Sequence, residues 1–136
     1  MIKTDIQIRF SDIDMLGHVN NVILQQYFDQ GKQLYFREVM GLSTLWSGNS
    51  FTTAATNTSY FVETRINDKI YVTTQIERLG TKSITFFQRI IEKESEIIKS
   101  ESRSVLVGFD LKERKSIVIS DLLRSKIENH ENFNQI

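Results

Sequence analysis

Asn20–Gly41 reads NNVILQQYFDQGKQLYFREVMG, and this stretch decides the fold. Leu24, Tyr27, Phe28, Gly31, Tyr35 and Val39 recur at three- and four-residue spacings, which lays one apolar stripe along a helix. Asn20 or Asn21 suits the N-cap, because a short polar side chain there accepts a bond from a free helix N–H. The helix is expected to run to about Met40, with Gly41 as its C-terminal stop. Gly31 stands inside the stripe. Glycine costs a helix interior about 1 kcal/mol against alanine, so its placement predicts a close approach of helix to sheet.

Upstream, Lys3–Phe10 alternates. Ile6, Ile8 and Phe10 interleave with Asp5, Gln7 and Arg9, the period-two sign of a half-buried strand. Downstream the chain reads as strands over Phe51–Val62, Ile70–Leu79, Ser83–Ile91 and Ile97–Phe109. Turn residues separate them at Asn67-Asp68, Gly80–Lys82, Glu92–Glu96 and Asp110–Lys115. Ser120 or Asp121 caps a short last helix carrying Leu122, Leu123 and Ile127. A strand, a long helix and a run of hairpin-linked strands predict an antiparallel sheet with one face on one helix, an α+β fold.

The 136 residues fit one domain, taken as 1–136, and no repeat or linker interrupts them. Seventeen basic residues balance 17 acidic ones, so charge offers no case for nucleic acid or an anionic membrane. Cysteine is absent, which removes disulfides, thiolate metal sites and a Cys nucleophile. The amino-terminal residues carry no continuous apolar run of the signal-peptide kind. A cytoplasmic protein is the expectation.

Chemistry-bearing residues crowd into Ser11–Asn21, SDIDMLGHVNN, which ends where the helix begins. A helix start offers unpaired N–H groups and partial positive charge, which stabilise an oxyanion formed when a carbonyl is attacked. A neighbouring carboxylate can act as base or nucleophile, and a histidine as donor or proton carrier. Taken singly, Asp12 and Asp14 are each better read as turn residues bonding local backbone. His18 alone fits a structural histidine, and Asn20 and Asn21 fit caps. A metal site could be drawn from Asp12, Asp14 and His18, but hydrolytic zinc sites usually carry more histidine, and the only other one, His130, is placed in a polar tail.

The run RFSDIDMLGHVNN (Arg9–Asn21), followed by YFDQGK (Tyr27–Lys32), resembles the signature of hot-dog-fold acyl-CoA thioesterases of the 4-hydroxybenzoyl-CoA thioesterase-like superfamily. The likeness extends loosely through Tyr60–Val72 and through Arg78–Gly80 with Lys82-Ser83. It implies a sheet wrapped around the long helix, a homodimer or homotetramer joined edge to edge, and a site shared between copies. It implies hydrolysis of an acyl-CoA or acyl-carrier-protein thioester without cofactor or metal. Asp14 matches the catalytic Asp, Gly17 and His18 the Gly-His after it, and Asn21 the helix start that offers an N–H to the carbonyl. Lys82-Ser83 resembles a region where the family meets the coenzyme. Arg65, Arg78, Lys82 and Ser83 lie at or near expected turns, where donors can meet the coenzyme phosphates, though each taken singly is better read as solvated surface.

Several positions depart from the pattern. Leu24 stands where many members carry Tyr, Asp29 where Glu is usual, Lys32 where Arg is usual, and Ser120 where Pro is common. The alternative reading is a non-catalytic acyl-thioester or small-ligand binding module of the same fold.

Overall fold

The computed structural model describes residues 1–42 and 49–133. The first strand, β1 (Ile2–Ile6), is shorter than the alternation predicts. A 3-10 turn over Phe10–Asp12 replaces its end and leaves Phe10 89% exposed. The cause is local: the Asp12 carboxylate accepts the Arg9 N–H at 3.0 Å, which folds the chain back before the strand can continue.

The long helix α1 (Asn21–Glu38) follows, capped by Asn20, whose Oδ1 accepts the Val22 N–H at 2.8 Å. Leu24, Tyr27, Phe28, Gly31 and Tyr35 are buried as the stripe predicts, and Lys32 and Phe36 join them. Strands β2 (Asn49–Tyr60), β3 (Ile70–Leu79), β4 (Ser83–Glu92) and β5 (Ile98–Asp110) form an antiparallel sheet with β1 in the order β1-β3-β4-β5-β2. The two-residue β6 (Lys115–Ser116) pairs with the end of β5. Helix α2 (Asp121–Glu131), capped by Ser120, closes the chain.

β3–β4 and β4–β5 are hairpins as expected, and β6 folds back on β5 across the expected turn, but β2 and β3 are not neighbours. β2 lies at the far edge, so residues 61–69 must cross the end of the sheet to reach β3. Phe61 and Val62 N–H pin that crossing to the Lys99 carbonyl at 2.9 and 3.1 Å. Buried Lys99 ties the crossing down further, its ammonium 3.3 Å from Asp68 and 3.5 Å from Glu92.

Helix α1 lies across one face, against β1, β3 and β4. A Cβ on Gly31 would stand 2.5 Å from Thr74 Oγ1, 2.8 Å from Gln88 Nε2 and 2.9 Å from Val72 Cγ1. This close approach is what the glycine in the stripe predicts. The core divides at that level. Tyr35, Phe36, Met40, Ile76 and Phe86 belong to one apolar cluster, and Ile6, Leu24, Phe28, Val72 and Ile90 to another. Between them, a polar row crosses four strands in register: Thr74 opposite Gln88, Gln88 opposite Ser102, and Ser102 opposite Thr58.

Helix α2 departs from expectation in two places. Leu122 is exposed, while Leu123 and Ile127 face inward. His130 does not sit in a polar tail but packs edge-on to Tyr35, ring centres 5.5 Å apart. Beside it, Glu131 accepts the Tyr35 hydroxyl at 2.6 Å and the Ile76 N–H at 2.8 Å, capping β3 beyond the reach of β1. Burial and this bond push the Tyr35 phenol well above its usual range.

Candidate active site

The loop before α1 is held at its neck from three sides. Ile13 and Val19 form a bridge, the Asn20 N–H bonds the Asp12 carbonyl at 3.0 Å, and the Val19 N–H bonds Thr64 of the crossing segment at 2.7 Å. Asp12 is the anchor. Its buried carboxylate accepts the Arg9 N–H at 3.0 Å and the Tyr27 hydroxyl at 2.5 Å, with the Arg9 guanidinium 3.4 Å away. Burial alone would raise this carboxyl, but the Tyr27 and Arg9 bonds outweigh it and hold it below the usual range. Burial first, then the bond to Asp12 and its charge, push the Tyr27 phenol far above its own.

Beyond the neck the chain turns tightly. The Asp14 N–H bonds the His18 carbonyl at 3.0 Å and the Gly17 N–H bonds the Asp14 carbonyl at 3.1 Å. Gly17 makes this possible with φ at +86°, in the left-handed region that favours glycine. Asp14 is half-buried. Its Oδ1 accepts the Leu16 N–H at 2.9 Å, which fixes the carboxylate and leaves Oδ2 without a partner among the described residues.

His18 and Asn21 line a cleft of about 410 Å³ with Leu24, Tyr60, Val62 and Glu63. His18 Nδ1 lies 3.4 Å from the Val19 carbonyl, a contact at the long limit of a hydrogen bond. The Asn20 side chain occupies the Val22 N–H, so the Asn21 N–H is the first backbone donor of the helix left for a ligand. Leu24, smaller than the Tyr usual in the pattern, leaves this wall apolar.

Glu63 enters the cleft from the crossing segment. The bond from Arg65 first, then its charge, with a smaller pull from His18, hold the Glu63 carboxyl below its usual range. No spacing in the sequence connects Glu63 with His18, because only the crossing of residues 61–69 brings them together.

Arg78, Lys82 and Ser83 do not join this cleft within one chain. They lie at the far end of β3 and the start of β4, while the loop sits by the other end of the sheet. Ten residues of β3 separate the two ends, about 30 Å of strand. An apolar cavity of about 420 Å³ at that far end, between Leu42, Phe51 and Leu123, carries no titratable side chain. Among the described residues, no three His, Cys, Asp or Glu side chains gather as a metal site. No helix among them is long and apolar enough to cross a membrane.

A single long helix laid on an antiparallel sheet, with an acid-bearing loop at its start, defines the hot-dog class. The chain belongs to the thioesterase-like superfamily, whose profile matches residues 8–127, and it is a thioester hydrolase of that family. The long-chain acyl-CoA thioesterase FadM of Escherichia coli is 24% identical over 129 residues, 93% of this chain and 97% of FadM. A solved structure of a predicted thioesterase from Bacillus stearothermophilus is 26% identical, covers 94% of each chain and superposes with a TM-score of 0.84. A Thermus thermophilus thioesterase, solved with coenzyme A and Zn, is 22% identical, covers 96% of this chain and 93% of its own, and has a TM-score of 0.82.

Proposed function

We propose that the chain hydrolyses acyl-CoA thioesters, or acyl groups carried on a protein thiol, at the cleft where the Ser11–Asn21 loop meets α1. The observation that supports this reading is one short loop that fixes the Asp14 carboxylate beside His18, while His18 lines the cleft together with Asn21, whose N–H has no partner among the described residues. The Asn21 N–H polarises the thioester carbonyl. Asp14 activates water or attacks the carbonyl itself through its Oδ2, which has no partner among the described residues. His18, on the wall of the cleft, orients the water or donates to the substrate. Gly17 keeps the backbone between acid and histidine open, since no atom lies within 4 Å of where its Cβ would stand. Coenzyme A beside the Thermus relative and the substrate named for FadM support the acyl-CoA class.

The site is shared between two copies. β2 is an edge strand of 12 residues, NSFTTAATNTSY, without a charge or proline to blunt it. Pairing two such edges about a twofold axis brings the Tyr60 end of one copy beside the Phe51 end of the other. Thr52 and Ser83 both pair with Val107, so the partner's Lys82-Ser83 turn then lies at the end where this copy holds its loop. Arg78, Lys82 and Ser83 meet the anionic phosphates of coenzyme A from across that interface.

Thiol release from a panel of acyl-CoAs tests the reading. Hydrolysis of any member supports it. Tight binding of acyl-CoA without turnover identifies a binding module instead.

A further inference from the structure

The catalytic cleft is one of two openings along the same flank of α1. The second, about 490 Å³, is walled by Asp29, Lys32 and Phe36 of α1 and by Phe51 and Thr53 of β2, over Leu106 of β5. Both lie between the helix and the overhanging edge strand. Gln25 stands between them. Its Nε2 donates to Thr58 Oγ1 at 2.9 Å and to the Tyr60 hydroxyl at 3.1 Å, and Thr58 Oγ1 meets Ser102 Oγ at 2.9 Å. This bridge carries the polar row of the sheet across to the helix and separates the two openings.

Coenzyme A is large and anionic and stays toward solvent. The acyl group is the part that gains by leaving water, and the cleft at the start of α1, walled by Leu24, Phe61 and Val62, offers it apolar surface. From Asn21 to Gln25 is four residues, about 6 Å of helix axis. That length holds only a few carbon–carbon bonds. From Gln25 on to Phe36 the same flank runs about 16 Å further. An alkyl chain reaching past Gln25 would break the bridge and leave its amide and the Thr58 hydroxyl unpaired in a half-buried place.

We propose that Gln25 ends the acyl passage and restricts the enzyme to short acyl chains, with the Lys32–Phe36 opening held in reserve behind it. The proposal rests on the reading of the loop and helix start as the acyl-transfer site. Its test is kcat/KM for acetyl-, butyryl-, octanoyl- and palmitoyl-CoA with the full chain, the Gln25→Ala and Thr58→Ala variants, and Gln25→Met. Wild type should favour acetyl- and butyryl-CoA over octanoyl-CoA by about tenfold or more, the discrimination a closed pocket gives against added methylenes. Gln25→Ala joins the openings and should move the preference to octanoyl-CoA or beyond. Thr58→Ala should move it the same way by less. Gln25→Met refills the space and should keep the short-chain limit. Alanine is the better helix former at this position, so loss of fold is not expected, and a thermal melt verifies it. A wild type that favours palmitoyl-CoA overturns the proposal, as does a Gln25→Ala profile of unchanged shape; both leave the thioesterase reading standing. Absence of hydrolysis at every length defeats that reading and this proposal with it.

Discussion

Two aspartates, two positions apart, take different surroundings from one short loop. Asp12 is buried under Tyr27 and Arg9, and Asp14 is half-buried with one oxygen free. By sequence, only Asp14 matches the catalytic position of the resembled family, and Asp12 is expected to make no more than a local backbone bond in a turn. The Tyr27 hydroxyl, 15 residues away on α1, makes the bond charge-assisted and buried. Asp12→Asn is therefore expected to cost on the order of 2 kcal/mol at neutral pH, the scale of a bond to a charged group. The pH dependence has a definite sign. The folded carboxyl lies below its unfolded value of about 3.9. Its stabilisation is full above that pH and is lost as pH falls through the folded value. Urea midpoints of the two proteins should therefore differ at neutral pH and converge well below pH 3.9. A gap that persists in acid would contradict the account.

Among the elements, α1 was the most legible and its neighbours less so. Gly31 betrayed a close contact because nothing else explains a glycine inside an apolar stripe, and Thr74, Gln88 and Val72 are that contact. Alanine there gains about 1 kcal/mol of helix propensity but overpacks a site whose neighbours are buried and bonded to each other, at about 1–3 kcal/mol. Gly31→Ala should therefore unfold at lower urea than wild type, and a higher midpoint would show that the helix can lift away. Alternation continues to Phe10 in sequence and predicts a longer β1, but the Asp12 carboxylate turns the backbone first. Lys32 was not expected inside. Its stem covers apolar surface while the ammonium keeps Asp29 at 3.5 Å, and burial, partly offset by that partner, lowers its pKa. The crossing of residues 61–69 was invisible for a different reason. Strand order is a property of the whole sheet, and Glu63 reaches His18 only through it.

At the scale of the molecule, an uncharged edge strand is left open and Arg78, Lys82 and Ser83 lie far from the loop they are expected to serve. Both follow if the working unit is at least a dimer. Light scattering should give a mass of at least twice 15.9 kDa at micromolar concentration, and a clean monomer would contradict the shared site. Arg78→Ala with Lys82→Ala should raise KM for acyl-CoA with little change in kcat, since those groups hold the coenzyme and not the reacting carbonyl. An unchanged KM would remove them from the site. The motif residues of the loop were legible because they are contiguous, whereas a site completed by a second copy leaves no spacing to read within one chain. The most direct measurement is turnover by Asp14→Asn on an acyl-CoA that wild type hydrolyses. The substitution keeps shape and the bond from Leu16 but removes the base, and kcat should fall by about a hundredfold or more while the melting profile stays that of wild type. Near-normal turnover would contradict the account.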